Sequence, residues 1–201
     1  MKIIDNRSVL LGDDLKNEIK EGSKLRIAAA YFSIYAYQAL KDELEKVDSL
    51  KFIFTTPTFV QDKIKDSFHK EIREFYIPKI NTESVICGTE FEIKLRNQMT
   101  QRAVARECAE WIRRKAKFMS VNNNAYTQNM IDIENGGKSV DYTPINGFTT
   151  SDLGYEKGEN NLVTIIKAEE TKDFLKSFDN LWDNGDVLED VKANIVDYIT
   201  S

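Results

Sequence analysis

The sequence predicts a single α/β domain, a mixed sheet flanked by helices, and three stretches near the N-terminus carry that prediction. Residues 25–32 are short, largely apolar and follow the Gly22-Ser23 turn, the mark of a buried strand. Residues 35–47 switch to helical spacing, with Ala36, Ala39, Leu40, Leu44 and Val47 on one stripe. Residues 50–56 return to a strand, rich in aromatic and β-branched side chains and stopped by Pro57. Strand, helix and strand in this order form a βαβ unit, whose parallel strands are covered on both faces. Residues 26–32 and 50–56 are therefore expected side by side at the centre of one sheet.

The later elements are weaker. Residues 60–75 read as a polar helix ended by Pro78, and residues 91–118 as the longest helical stretch. Strands are expected at 130–133, 139–143 and 160–167, with turns at Asn122-Asn-Asn124 and Gly136-Gly137. Residues 169–184 form an amphipathic helix with Phe174, Leu175, Phe178, Leu181 and Trp182 inward, stopped by Gly185. Asp186 then caps a last helix carrying Val187, Leu188, Val191, Ile195, Val196 and Ile199. The domain is expected over residues 1–184. Residues 185–201 are expected as a C-terminal helix docked on the core or, alternatively, leading into further protein.

With 41% hydrophobic and 30% charged residues in 201, the composition is that of a globular chain and excludes a disordered or fibrous one. No apolar run approaches the roughly 20 residues that cross a bilayer, and the first residues lack the apolar core of a secretory signal. Cys87 and Cys108 lie far apart and away from histidine, as free thiols do. A cytoplasmic protein with no membrane partner is the expectation. The net charge of −5 argues against a general nucleic-acid coat, but the charge is uneven. Residues 90–117 hold eight Lys or Arg against four Glu, whereas residues 151–201 hold five Lys against twelve Asp or Glu.

Tested one at a time, the motifs assign no catalytic residue, cofactor or metal. Gly137-Lys-Ser139 resembles the end of a phosphate-binding loop, but Asp132 occupies the position of its first glycine and a strand-like segment follows. A hairpin turn is expected there instead. His69, the sole histidine, sits on a charged helical stretch without a cysteine cluster and makes a poor metal centre. The most informative pattern is residues 101–117. At about 100° per residue, Arg102, Arg106, Arg113 and Lys117 fall on one face, with Val104, Cys108, Trp111 and Ile112 opposite. Such a basic ridge is spaced to reach successive phosphates, which makes these four the candidate nucleic-acid-binding residues. The alternative is a solvated face paired with the acidic C-terminal third.

Ala28-Ala-Ala-Tyr-Phe-Ser-Ile-Tyr35, Phe52-Ile-Phe-Thr-Thr-Pro-Thr-Phe59 and the run from Gly88 through Lys115 resemble one known group. It is the phospholipase-D-like domain at the N-terminus of bacterial Snf-type superfamily 2 helicases. Gly147-Phe-Thr-Thr-Ser-Asp-Leu153 is similar to the end of the phospholipase-D pattern, with Phe148, Thr149 and Leu153 matching, and the likeness spans nearly the whole chain. Active members carry His-x-Lys-(x)4-Asp some fifteen residues before the Phe-Thr segment. Here no histidine follows His69, and Pro144-Ile-Asn-Gly147 replaces Gly-Ser-x-Asn. Without that nucleophile the covalent intermediate cannot form. The resemblance implies a phospholipase-D-like fold and a non-catalytic accessory domain of a DNA helicase, which binds DNA or positions the motor. ATP-dependent helicase activity is then expected only in a full-length protein. A self-association module, such as a homodimer, is one alternative, and a nuclease with a remodelled site is another.

Overall fold

The computed structural model describes residues 1–55, 98–122, 128–156, 162–169 and 172–201. The chain opens with strand β1 (Lys2–Ile4) and helix α1 (Leu11–Glu18), then enters the expected βαβ unit. Strand β2 (Lys24–Ala29) runs into a two-residue strand β3 (Tyr31–Phe32), helices α2 (Ile34–Ala39) and α3 (Lys41–Leu44) follow, and β4 (Ser49–Phe54) returns parallel to β2. The Ser33 hydroxyl starts α2 by accepting from the backbone N–H groups of Tyr35 and Ala36, at 3.1 and 3.4 Å. The single helix expected over 35–47 is broken at Leu40, whose ψ of 14° leaves the helical basin. Leu40 and Leu44 both face the core across the break, each 1% exposed.

Helix α4 (Gln98–Lys115) leads directly into β5 (Ala116–Val121), which pairs in parallel with β4. Strands β6 (Met130–Asn135) and β7 (Lys138–Thr143) form the hairpin expected at Gly136-Gly137. Both glycines have positive φ, 55° and 82°, as a two-residue hairpin turn demands. Strand β8 (Gly147–Phe148) pairs with β3, and β9 (Ile165–Glu169) pairs with β7 and β1. Helix α5 (Lys172–Trp182), strand β10 (Leu188–Asp190) and helix α6 (Lys192–Thr200) complete the described chain. The main sheet has the order β1-β9-β7-β6-β2-β4-β5-β10. It is parallel from β2 through β4 to β5 and antiparallel elsewhere.

Three boundaries differ from the sequence expectation. The long helix ends at Lys115, not Phe118, because residues 116–121 extend along the free side of β4. The last helix begins at Lys192. Leu188–Asp190 is instead an edge strand, where Asn122 N–H donates to Val187 O at 2.9 Å and Val191 N–H to Phe118 O at 3.0 Å. Val187, Leu188 and Val191 fit either period over so short a run, and the open edge of β5 decides. The strand expected at 160–167 lies at Ile165–Glu169. The expected helix at 60–75, His69, Cys87 and the start of the 91–118 stretch fall outside the described residues.

The main core lies on the sheet face covered by α1, α2, α4 and α6. Phe32, Phe52, Phe54 and Phe118 form its aromatic centre, with ring centroids 4.8–5.9 Å apart. Trp111 of α4 is fully buried and donates to Leu44 O at 2.9 Å. The other face carries a smaller apolar cluster of Ala28, Ile53, Val121, Met130 and Leu188 against Phe178 of α5. Among the described residues no helix is long and apolar enough to cross a membrane.

Candidate functional site

A cleft of about 560 Å³ opens where β2 passes into β3, lined by Ala30, Tyr31, Asn129, Asn146, Thr149, Ser151, Asp152 and Glu156. The β3–β8 pair forms its wall. Tyr31 stands opposite Gly147, Ala30 N–H donates to Asn146 O at 3.1 Å, and Ser33 N–H donates to Phe148 O at 2.9 Å. Gly147 is required by proximity, since a Cβ there would lie 2.7 Å from Tyr31 Cβ and 3.2 Å from Asp152 Oδ2. After β8 the chain folds into a tight turn. Thr149 Oγ1 donates to Asp152 Oδ2 and accepts from Asp152 N–H, and Leu153 is fully buried beneath. Thr150 Oγ1 donates to Glu156 Oε1 at 2.6 Å, and Asn6 Nδ2 holds Asp152 O at 2.9 Å. The described lining therefore offers amide, hydroxyl, phenol and carboxyl groups. Asn129, from the stretch where the resemblance expects a histidine, shares this cleft with Thr149 of the Phe-Thr segment.

The basic ridge is only partly assembled. Arg102, Arg106 and Arg113 are exposed on α4, opposite the buried Val104, Cys108, Trp111 and Ile112. Arg113 is paired with Glu110, one turn back. The neighbouring cations are also engaged, Arg114 with Glu45 at 2.9 Å and Lys115 with Val47 O at 2.8 Å. Lys117 does not belong to this surface. It lies on β5, one residue from the core-facing Phe118, so its side chain emerges on the opposite face of the sheet. Cys108 is fully buried and its thiol is pushed up by burial, which makes it a packing residue and not a nucleophile.

On that opposite face, sequence reasoning missed a row of charges. Asp141, Asp132, Arg26, Lys51 and Lys117 stand directly opposite one another on β7, β6, β2, β4 and β5. Asp132 and Asp141 are 0% and 2% exposed, and among the described residues none of their four carboxylate oxygens has a donor in full hydrogen-bond geometry, although the Ser139 side chain offsets part of the rise at Asp132. Arg26 Nη1 lies 3.6 Å from Asp132 Oδ2 and 3.1 Å from Glu134 Oε2, while its Nε reaches Asp179 of α5 at 3.1 Å. The Lys51 ammonium sits 5.3 Å from the centre of the Trp182 ring. Burial, and then the neighbouring Asp141 carboxyl, pushes Asp132 up to about 9. The only sequence signal was the alternation of apolar and acidic residues in Met130-Ile-Asp-Ile-Glu134 and Ser139-Val-Asp-Tyr142. No group of three or more His, Cys, Asp or Glu among the described residues is placed to hold a metal ion.

No protein-family model matches this chain, and no curated protein matches it.

Proposed function

We propose that this chain is a non-catalytic module of phospholipase-D-like architecture, an accessory domain for a helicase motor that binds the phosphate backbone of nucleic acid. The cleft carries the reading. Asn129 and Thr149, from the two segments that build the hydrolytic site in the family it resembles, meet there, and the described lining brings no imidazole to the position of attack. Backbone binding is assigned to the outer face of α4. Arg102 and Arg106 are exposed there one turn apart, and neither takes part in an ion pair among the described residues. A second reading, self-association, is favoured by Ile3 and Ile166, which are paired on β1 and β9 yet 61% and 37% exposed.

Fluorescence anisotropy with two unrelated DNA duplexes across a salt series tests the first reading. Arg102→Gln with Arg106→Gln is expected to reduce the salt slope by about 2, about 1 for each lost phosphate contact. The loss should be equal for both duplexes, because phosphate contacts do not read sequence. Lys117→Gln, on the other face, is expected to leave the slope unchanged. An unchanged slope in the double variant ends the nucleic-acid reading. Dose-dependent hydrolysis of bis-para-nitrophenyl phosphate ends the non-catalytic one. Sedimentation of the same samples reports self-association.

A further inference from the structure

Asp132 and Asp141 face each other across the β6–β7 hairpin, both buried. Among the described residues their four carboxylate oxygens meet no donor in full hydrogen-bond geometry, with only the Ser139 side chain and Arg26 Nη1, at 3.6 Å, close to Asp132. Two adjacent buried carboxylates cannot both stay ionised, because repulsion and lost hydration both favour retaining a proton. The groups around them do not supply enough positive charge. From β2 comes Arg26, already bonded to Glu134 of β6 and Asp179 of α5; from β7 comes the neutral Ser139; from β4 comes Lys51, which lies over Trp182. One guanidinium thus serves three carboxyl groups, Asp132, Glu134 and Asp179, with Asp141 beside them.

We propose that Asp132 and Asp141 hold a single proton between them, and that this proton leaves Arg26 free to reach Asp179 and latch α5 onto the sheet. Of the side chains of α5, only Phe178 is fully buried. Leu181 and Trp182 pack beside it on the small apolar cluster, and the Arg26–Asp179 and Lys51–Trp182 contacts add the polar part of the attachment. Loss of the shared proton adds a charge beside Arg26. The guanidinium is then drawn towards Asp132, 3.6 Å away, and off Asp179. Burial and the facing carboxyl hold this proton on the folded chain well above the pH of about 4 at which an unfolded aspartate releases it. A raised folded value contributes stability that is complete below about pH 4 and is lost as pH rises through the folded value.

The test is the stability of the full chain from pH 5 to 9, in a His69→Gln background that removes the one histidine titrating in that window. The unfolding equilibrium constant is expected to rise with pH, approaching tenfold per unit for one proton. Asp141→Asn, which offers Asp132 a neutral donor, should flatten that rise. The latch is read from Trp182, as the difference in emission between the parent and Trp182→Phe. Its emission should shift to the red at alkaline pH before global unfolding. It should stay unshifted in Asp141→Asn and be shifted at every pH in Asp179→Asn. A flat stability profile in the parent, or a slope that Asp141→Asn leaves intact, overturns the shared proton. Trp182 emission that holds constant until the whole chain unfolds overturns the latch.

Discussion

Asp14, on the buried side of α1, is 6% exposed and accepts from Lys2 Nζ at 2.9 Å, Lys167 Nζ at 2.9 Å and Tyr142 Oη at 2.7 Å. Burial alone would raise its carboxyl, but these donors outweigh burial and hold it below the usual carboxylate range. Asp132 goes the other way, because burial and then the neighbouring Asp141 carboxyl raise it and Arg26 offsets them only in part. Burial raises both carboxyls, and their partners decide the sign. A depressed folded value contributes stability that is present above about pH 4 and lost as pH falls. Asp14→Ala should therefore cost about 3 kcal/mol at pH 7, where it leaves Tyr142 and half-engaged Lys167 beneath the sheet edge. At pH 3 the deficit should shrink, since the parent then begins to lose the same contacts. Urea unfolding at the two pH values checks it, and equal deficits would contradict the ion-pair account. Neither carboxyl was legible in the sequence. Asp14 looks like an ordinary acid in a helix's first turn, and its partner Lys167 lies 153 residues away.

At the scale of elements, legibility followed length and isolation. The βαβ unit was readable because β2 and β4 are apolar runs bounded by turn residues and need only each other to be placed. The β6–β7 hairpin was readable because two glycines with positive φ mark it. The break at Leu40 and the strand β10 were not, since core geometry and the free edge of β5 determine them. The two-residue strands β3 and β8 sit between these cases. Their sequence carried the family likeness, but their role as the cleft wall needed the fold. Gly147→Ala tests how tightly that wall is built. Tyr31 Cβ, 2.7 Å from the added methyl, is bound to the backbone and cannot swing aside, so the two strands must part. A loss of about 1–3 kcal/mol in chemical denaturation is expected, as for overpacking elsewhere. A change below about 0.5 kcal/mol would mean that β3 and β8 separate freely.

Across the whole molecule, the basic middle and the acidic end of the chain are brought together through an apolar seam. Helix α6 packs along α4 with Ile195, Val196 and Ile199 buried, while Lys192 Nζ donates to Arg113 O at 3.2 Å. Among the described residues, Arg113 of α4 is met by Glu110 of the same helix, and none of Arg102, Arg106 and Arg113 is met by an acid of the C-terminal third. The row from Asp141 to Lys117 shows why such sites escape sequence reading: five residues on five strands become neighbours only once every register is set. The same interlocking bears on the expected boundary between residues 184 and 185. Past it, β10 closes the edge of β5, and Leu188, Val191, Ile195, Val196 and Ile199 are all at most 8% exposed. Burying a side chain of this kind contributes about 1.5–3 kcal/mol, so five together approach the 5–15 kcal/mol that holds a typical domain folded. Truncation after Asn184 should consequently leave no cooperative thermal transition and should expose Ile112 and Trp111 of α4 to proteolysis. The parent should melt in one transition under the same conditions. A truncated chain that keeps a sharp transition near the parent's would show that residues 1–184 fold alone and that β10 and α6 are an appendage.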